Sequence, residues 1–133
     1  MREPTSSPVT VPEAAPPPTD VLLTVVVPVF NQEAAIADNV ELIRESVAAG
    51  LDAPFELIVV SDGSIDGTAE RVLETAADNV RVIHYDRNLG KGYAIKVGAL
   101  EARGRYVAYI DADLDLDPSW LPRYVAQASS SAP

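Results

Sequence analysis

The stretch FELIVVSDGSIDGT, residues 55–68, carries the pattern that decides the fold. Its first six residues, Phe55 to Val60, are mostly apolar and rich in β-branched side chains, which is typical of a strand buried on both faces. A polar loop containing Gly63 and Gly67 follows, and a helical pattern begins at Thr68. A buried strand that leads through a short loop into a helix is one unit of an α/β fold.

The same strand–loop–helix unit recurs on both sides of this stretch. Further strands are predicted at residues 22–29, 80–84 and 105–110. Helices are predicted at residues 34–49, 68–77 and 92–102, and from Asp117-Pro118 to about Gln127. The order βαβαβαβα predicts an α/β, Rossmann-like fold with a mostly parallel sheet, helices on both faces and right-handed crossovers.

A chain of 133 residues has room for one domain. Residues 1–20 hold six of the eleven prolines and almost no large apolar side chains, so we expect this segment to be disordered. We expect the domain itself at residues 21–127, and a disordered tail at residues 128–133, where alanine and serine dominate.

The composition excludes several classes of function. Twenty Asp and Glu against ten Lys and Arg give a net charge of -10, which repels phosphate backbones, so we expect no nucleic-acid partner. Without cysteine the chain has no disulfide, thiolate nucleophile or cysteine zinc site, and one histidine makes a histidine-rich metal site unattainable. No apolar run is long enough to span a membrane and no signal-peptide pattern is present, so we expect a cytoplasmic protein.

The chemically unusual residues lie in the loops that follow the four predicted strands. These loops are residues 28–32, 61–68, 86–92 and 111–117. The carboxyl ends of parallel strands meet at one edge of a sheet, and ligands bind outside that edge. The sequence therefore predicts one cleft that receives residues from all four loops.

Four aspartates alternate in the last of these loops: Asp111, Asp113, Asp115 and Asp117. Two carboxylates about 4 Å apart repel each other by roughly 4 kcal/mol at an effective dielectric constant near 20. A hard divalent cation, Mg²⁺ or Mn²⁺, relieves such repulsion. We favour metal binding at Asp111 and Asp113, directly after a buried strand, and a helix cap at Asp117. For Asp115 a metal ligand and a solvated side chain are equally good explanations.

Two other loops carry candidate ligand-binding residues. Asp62 either accepts N–H groups within its turn or binds the base or ribose edge of a nucleotide, and the sequence favours neither. Lys91 lies between two glycines at the start of a predicted helix, a position suited to a diphosphate. A solvated surface lysine explains Lys91 nearly as well.

A few other conspicuous residues are assigned structural roles. Thr68 is expected to cap the second helix. His84 is the single histidine, and the sequence supports no Ser-His-Asp set around it. Trp120 and Tyr124, four residues apart on the last helix, are expected to pack on the sheet.

Four segments taken together resemble the N-terminal half of a glycosyltransferase family 2 domain. They are VVVPVFNQE, FELIVVSDGSIDGT, RNLGKGYAIKVGALEARGRYV and YIDADLDLDP. The resemblance is greatest to polyprenyl- and dolichyl-phosphate hexosyltransferases and runs from about Val21 to Tyr124. It implies a GT-A fold and inverting transfer of a hexose from a UDP- or GDP-sugar. It also implies a polyprenyl or dolichyl phosphate acceptor and a peripheral position at the cytoplasmic membrane face.

The resemblance also implies roles for single residues. The nucleotide pocket would be lined by Pro28, Phe30 and Asn31, with Asp62 against the base. The segment Asp111-Ala112-Asp113 would be the DxD element, which holds the metal and the sugar nucleotide. Asp113 would be its catalytic residue, and Asp115 would complete the metal's shell.

This sequence departs from the family pattern in three ways. Gln32 stands where many members carry glutamate, and Ser61 stands where many carry the first of two aspartates, which weakens the expected nucleotide contacts while keeping Asp62. Family members also continue beyond these motifs with an acceptor site and, in many, a catalytic base. A second hypothesis is therefore a truncated nucleotide-sugar-binding domain without transferase activity of its own.

Overall fold

The computed structural model describes residues 20–114 and 117–131 of the chain. The predicted ligand Asp115, the predicted disordered residues before Asp20, and the last two residues of the predicted tail lie outside these ranges. The strands within them are β1 (Leu23–Val29), β2 (Phe55–Asp62), β3 (Val80–Tyr85) and β4 (Tyr106–Tyr109). The helices are α1 (Ile36–Gly50), α2 (Thr68–Thr75), α3 (Lys91–Glu101) and α4 (Trp120–Ser131).

The strands form one parallel sheet in the order β3-β2-β1-β4. The predicted parallel α/β fold is thus confirmed. The chain moves outward from β1 to β2 and β3, and then returns to the other side of β1 to add β4. The carboxyl ends of β1 and β4 therefore flank a topological switch point, where open α/β sheets bind ligands.

Helices cover both faces of the sheet, as the sequence predicts. Alternate residues of each strand point to opposite faces. On one face, residues such as Val25 and Leu57 pack with apolar side chains of α1, α2 and α4. On the other face, Val26 and Ile58 pack against α3. In the described part of the chain, no helix combines the length and apolar composition that a membrane span requires.

Helix α3 packs directly against Val26 of the sheet at Gly98. A Cβ atom at this position would lie 2.5 Å from Cγ1 of Val26, closer than real carbon contacts allow. The close contact fixes α3 over β1 and β2. The first residue of the helix, Lys91, is then placed at the carboxyl edge of the sheet.

A buried charged cluster joins the strands at the opposite, amino edge. Glu56 is 2% exposed, and its carboxylate accepts hydrogen bonds from the Thr24 hydroxyl (2.7 Å), the Arg81 guanidinium (3.0 Å) and the Arg103 N–H (2.9 Å). The Thr24 oxygen in turn accepts the Gly104 N–H at 2.8 Å. The starts of β1, β2 and β3 and the turn before β4 are thereby tied together at this edge.

Two local predictions differ from the structure. Helix α4 extends to Ser131 rather than ending near Gln127. The Ser129 hydroxyl donates to the Tyr106 hydroxyl at 3.3 Å, which holds the last turns of the helix against β4.

The predicted cap of α2 by Thr68 is wrong. The Thr68 hydroxyl instead accepts the Gln32 N–H at 2.9 Å, in the loop after β1. The side chain of Asp66 accepts the Thr68 N–H at 3.0 Å in its place. The Thr68 hydroxyl thus links the start of α2 to the loop after β1 and does not accept an N–H group of its own helix.

Candidate functional site

A pocket of about 210 Å³ opens at the carboxyl edge of the sheet. It lies between the ends of β1 and β2 and the loop that follows β3. Its lining consists of Pro28, Val29, Phe30, Asp62, Asn88, Gly90 and Lys91. Four of the predicted nucleotide-site residues are among them: Pro28, Phe30, Asp62 and Lys91. The structure therefore brings residues of three separate loops together, as the sequence predicts.

Pro28 is unusual because it lies within a strand that has neighbours on both sides. The Val26 carbonyl accepts the Ile110 N–H at 3.0 Å, so alternate residues of β1 direct their backbone polar groups towards β4. The ladder with β4 ends at the pair Val26–Tyr109, two residues before Pro28. A proline costs no ladder hydrogen bond at this position, and its ring borders the pocket.

Asp62 is buried, with 4% of its surface exposed. Its Oδ1 accepts the Leu89 N–H at 2.9 Å and its Oδ2 accepts the Gly90 N–H at 3.0 Å. The Asn88 side-chain amide donates to the Asp62 backbone carbonyl at 3.2 Å. The carboxylate thus accepts backbone N–H groups, one of the two roles that the sequence left open. The donors belong to the loop after β3, however, and not to the turn of Asp62 itself.

The loops after β2 and β3 touch because Gly63 has no side chain. Gly63 has a φ of +72°, and a Cβ there would lie 2.2 Å from the backbone nitrogen of Asn88. Gly90 has a φ of +101°, a backbone conformation that is unfavourable for residues other than glycine. Both glycines are therefore needed for the backbone path that presents the Leu89 and Gly90 amides to Asp62.

Lys91 connects this pocket to the acidic loop after β4. Its ammonium group lies 3.2 Å from Oδ1 and 3.3 Å from Oδ2 of Asp111, and 5.7 Å from the centre of the Tyr109 ring. The hydrogen bond to Asp111 holds the pKa of Lys91 above its ordinary value, and the charge of Asp113 adds to this effect. Both partners are substantially exposed, 55% for Lys91 and 40% for Asp111, so the pair is accessible to a ligand.

The backbone of the acidic segment is held from α1. Ala112 is 2% exposed, and its carbonyl accepts the Asn39 side-chain amide at 2.8 Å. The Leu114 N–H donates to the Asp111 carbonyl at 3.1 Å and closes a turn, with Leu114 at a φ of +61°. Asp113 is one of the residues of this turn, and its side chain is exposed.

The donor set of this turn suits a hard cation. Asp111 and Asp113 offer carboxylate oxygens, the ligands that Mg²⁺ and Mn²⁺ prefer. Among the described residues, no group of three or more acidic, histidine or cysteine side chains forms a complete cage. Two carboxylates are nevertheless enough for Mg²⁺, which commonly completes its shell with waters and substrate phosphates.

Asn31 is placed apart from the other predicted residues. Its Oδ1 accepts the Ile65 N–H at 2.9 Å, and its own N–H donates to the Ser64 hydroxyl at 3.0 Å. It borders a second cavity of about 730 Å³ between the loop after β1 and helix α2. The structure shows Asn31 joining two loops, and its contact with a nucleotide stays a prediction.

The structure does assemble a serine, a histidine and an aspartate at the end of β3. Nδ1 of His84 lies 3.0 Å from the Ser61 hydroxyl, and its Nε2 lies 3.5 Å from Asp86. Ser61 has no exposed surface, however, so its oxygen is out of reach of a substrate. The three residues do not form a nucleophilic triad.

Sequence reasoning missed three residues of this site: Asn39, Asn88 and Tyr109. Asn39 carried a detectable signal, because it interrupts the apolar stripe of α1 between Ile36 and Ile43. Asn88 and Tyr109 carried none, because polar loop residues and strand aromatics are common. By contrast, Trp120 and Tyr124 both pack against the apolar cluster on one face of the sheet, and the Tyr124 hydroxyl donates to the Val107 carbonyl of β4 at 3.4 Å.

A sequence model of the family described as Glycosyl transferase family 2 matches residues 24–132. The chain belongs to glycosyltransferase family 2. The undecaprenyl-phosphate 4-deoxy-4-formamido-L-arabinose transferase of Pseudomonas paraeruginosa is 40% identical over 114 residues, which are 81% of this chain and 32% of the relative. The chain thus spans about a third of the length of the curated relatives that it matches.

Solved structures of similar fold agree with the family. A mannosyltransferase from Pyrobaculum calidifontis, in complex with GDP-Man and Mn²⁺, is 31% identical with a TM-score of 0.59, over 76% of this chain and 30% of that one. Glucosyl-3-phosphoglycerate synthase from Mycobacterium tuberculosis, in complex with Mn²⁺ and UDP, is 31% identical with a TM-score of 0.61, over 81% of this chain and 39% of that one. The GT-A type of fold is thereby confirmed for this chain.

Proposed function

We propose that this chain is the donor-binding part of a glycosyltransferase that moves a hexose, with inversion, from a UDP- or GDP-sugar to an acceptor. The observation that carries the proposal is one juxtaposition at the switch point of the sheet. The pocket that contains Asp62 and Lys91 adjoins the strand end that bears Asp111 and Asp113, and the Lys91–Asp111 pair links the two. The relatives crystallised with GDP-Man or UDP and Mn²⁺ support it.

The pocket's own residues suit a nucleoside diphosphate. Pro28 and Phe30 offer apolar surface to a base, and the Phe30 side chain is 46% exposed at the pocket. Lys91 provides positive charge at the start of α3, where a helix favours an anion. In an acidic protein of net charge -10, this local cation offsets a field that would otherwise repel phosphates.

Asp111 and Asp113 would hold a divalent cation, Mg²⁺ or Mn²⁺, with Asp115 as a further proposed ligand. A bound cation supplies positive charge that stabilises the departing diphosphate. Asn39 holds the Ala112 carbonyl and so fixes the path of the backbone between the two carboxylates. We assign Asp113 as the catalytic residue because it is exposed in the turn that also carries Asp111, next to the charge of Lys91.

For the acceptor we propose a polyprenyl or dolichyl phosphate. The named relative is an undecaprenyl-phosphate transferase. A phosphate oxygen is already ionised near neutral pH and needs little help from a general base. Such an acceptor would place the protein peripherally at the cytoplasmic face of a membrane.

Calorimetric titration of UDP- and GDP-sugars into the chain, with and without Mn²⁺ or Mg²⁺, tests donor binding. We expect one nucleotide sugar to bind in a metal-dependent way, and Asp113→Ala to abolish that dependence. Asp117→Ala is the matched control: it removes an aspartate from the same loop, but one whose carboxylate caps α4 by accepting the Ser119 N–H at 3.0 Å. Absence of binding to any donor under all conditions contradicts the proposal.

Transfer is tested separately, with a radiolabelled donor and a polyprenyl phosphate in detergent. Labelled lipid formed by the chain alone would exclude the alternative of a binding domain without activity. Donor binding without transfer would support that alternative instead.

A further inference from the structure

Charge is distributed unequally between the two faces of the sheet. Helices α1, α2 and α4 pack on one face, and α3 alone among the described helices packs on the other. On the first face α1 and α2 expose acidic side chains such as Asp38, Glu45 and Glu70. Residues 91–105, by contrast, hold four Lys and Arg and a single acid, Glu101. The α3 side therefore carries local positive charge in a protein of net charge -10.

Three of these basic side chains are exposed and unpaired. They belong to Lys96 on α3 and to Arg103 and Arg105 in the turn between α3 and β4. None of the three forms a salt bridge with a described residue. The one nearby acid, Glu101, is already engaged, because its Oε1 lies 3.9 Å from the guanidinium of Arg81. The three charges are thus available to an anionic partner.

The solvent side of α3 also exposes a large apolar side chain. The exposed residues of this helix are Lys91, Gly92, Lys96, Ala99 and Leu100, and none of them is acidic. Leu100 is 75% exposed and lies one helical turn beyond Lys96. A water-soluble polyanion needs only the charges, whereas a lipid bilayer also takes up an apolar side chain at the boundary of its headgroups. The combination favours a bilayer.

We propose that residues 96–105 form a docking surface for an anionic lipid bilayer. Lys96, Arg103 and Arg105 contact the lipid headgroups, and Leu100 inserts between them. The choice of a bilayer rests on the proposed function, because a polyprenyl or dolichyl phosphate acceptor resides in a membrane. The acids of α1 and α2 lie across the sheet, and salt screens exposed charges beyond about 8 Å at physiological ionic strength. Docking on this side would hold the carboxyl edge, where α3 begins, beside the acceptor.

Sedimentation with lipid vesicles tests the surface. We expect the chain to bind vesicles of phosphatidylcholine mixed with phosphatidylglycerol, to ignore pure phosphatidylcholine, and to be released as salt is added. The combined change Lys96→Gln, Arg103→Gln and Arg105→Gln should weaken binding by roughly a hundredfold, since each basic residue contributes about fivefold. Leu100→Ser should weaken it by roughly threefold to tenfold. A chain that does not bind the anionic vesicles overturns the proposal.

A second triple variant is the matched control. Arg44→Gln, Arg71→Gln and Arg123→Gln remove three positive charges from α1, α2 and α4, on the opposite face of the sheet. Both triple variants change the net charge by the same amount, and we expect the control to keep its vesicle affinity. Equal losses would show that binding follows net charge and not this surface, which overturns the proposal. Self-association lost in the first triple variant, without vesicle binding, would assign the surface to a second copy and overturn it too.

A measurement on the unaltered chain locates the contact without any variant. A spin label on the lipid headgroup should broaden the NMR signals of amides 96–105 most and those of α1 least. Broadening centred on another element would overturn the proposal. Neither nucleotide nor metal is present in these experiments, so absence of donor binding would refute the proposed function and leave this result standing. Absence of vesicle binding would overturn the docking surface and leave donor binding, and transfer to a lipid in detergent, unaffected.

Discussion

Tyr85 buries its phenol next to the carboxylate of Asp62. The side chain is 1% exposed, and its ring meets that of Tyr93 edge-on at 5.5 Å between centres. Burial, together with the nearby carboxylate of Asp62, raises the pKa of the Tyr85 phenol above its ordinary value of 10.0. The folded state therefore keeps this proton at pH values where the unfolded state loses it.

Replacement of this hydroxyl should change the alkaline stability of the protein. The unfolded chain binds fewer protons than the folded chain above about pH 10, so stability falls as the pH rises past that value. Tyr85→Phe should remove this part of the loss, and at neutral pH it should cost no more than about 1.5 kcal/mol, the upper end of what one typical hydrogen bond contributes. Urea unfolding at pH 8 and pH 10.5 measures both effects, with Tyr109→Phe as an exposed control. An alkaline loss of the same size in Tyr85→Phe and the original chain would refute this account.

Lys91 neutralises the carboxylate that the proposed metal needs. Without nucleotide, the ammonium group and a cation compete for Asp111, so Lys91→Met should raise the affinity for Mn²⁺ by roughly twofold to fivefold, the range of exposed ion pairs. With nucleotide present, the same change should weaken binding, because the diphosphate loses its cation. Electron paramagnetic resonance of free Mn²⁺ measures both, and Lys96→Met, on an exposed residue of the same helix, serves as control. A change of equal sign in the two conditions would contradict this role for Lys91.

At the scale of elements, α1 supports the acidic turn through a single side chain. The Asn39 amide donates to the Ala112 carbonyl at 2.8 Å, across 73 residues of sequence. Asn39→Ala should weaken metal-dependent donor binding by roughly tenfold to a hundredfold, the usual cost of losing a partner just outside a metal's ligands. Calorimetry in Mn²⁺ measures the change.

Asn79→Ala is the control for this prediction. The Asn79 amide also donates to a backbone carbonyl, that of Phe55 at 3.3 Å, but at the amino edge of the sheet. We expect it to leave donor binding unchanged. Equal losses of donor affinity in the two variants would show that Asn39 acts on stability and not on the turn.

The elements themselves were predictable, whereas most contacts between loops were not. The strand Leu23–Val29 is apolar apart from Thr24, and its burial follows from that pattern alone. The hydrogen bond from Leu89 to Asp62 joins residues 27 positions apart, and it depends on which strands are neighbours and on the φ of Gly90. The Lys91–Asp111 pair likewise requires β4 to lie beside β1, an order that periodicity does not reveal.

At the scale of the whole molecule, the amino and carboxyl ends of the strands have separate roles. The amino edge holds the buried cluster around Glu56, and the carboxyl edge holds the pocket and the acidic turn. Glu56→Gln should lower the free energy of unfolding by about 3 kcal/mol, the lower end of the range for a broken buried pair, because Arg81 keeps only the more distant and more exposed Glu101 carboxylate at 3.9 Å. Urea unfolding measures this loss. Donor affinity, measured where the variant remains folded, should be unchanged; a loss of affinity would show that the two edges are coupled.

The strand order also bears on how the chain reaches its native state. Contacts between β1 and β2, such as Thr24 with Glu56, close a loop of 32 residues, whereas the bond from Gly104 to Thr24 that brings in β4 closes one of 80. Closing the longer loop costs more chain entropy, so β4 should join a sheet in which β1, β2 and β3 are already paired. In pulse-labelled refolding, the amide of Tyr106 should then become protected after that of Leu57. A chain arrested before this step would have a packed sheet and a loop for the diphosphate, yet its acidic turn would still be unformed.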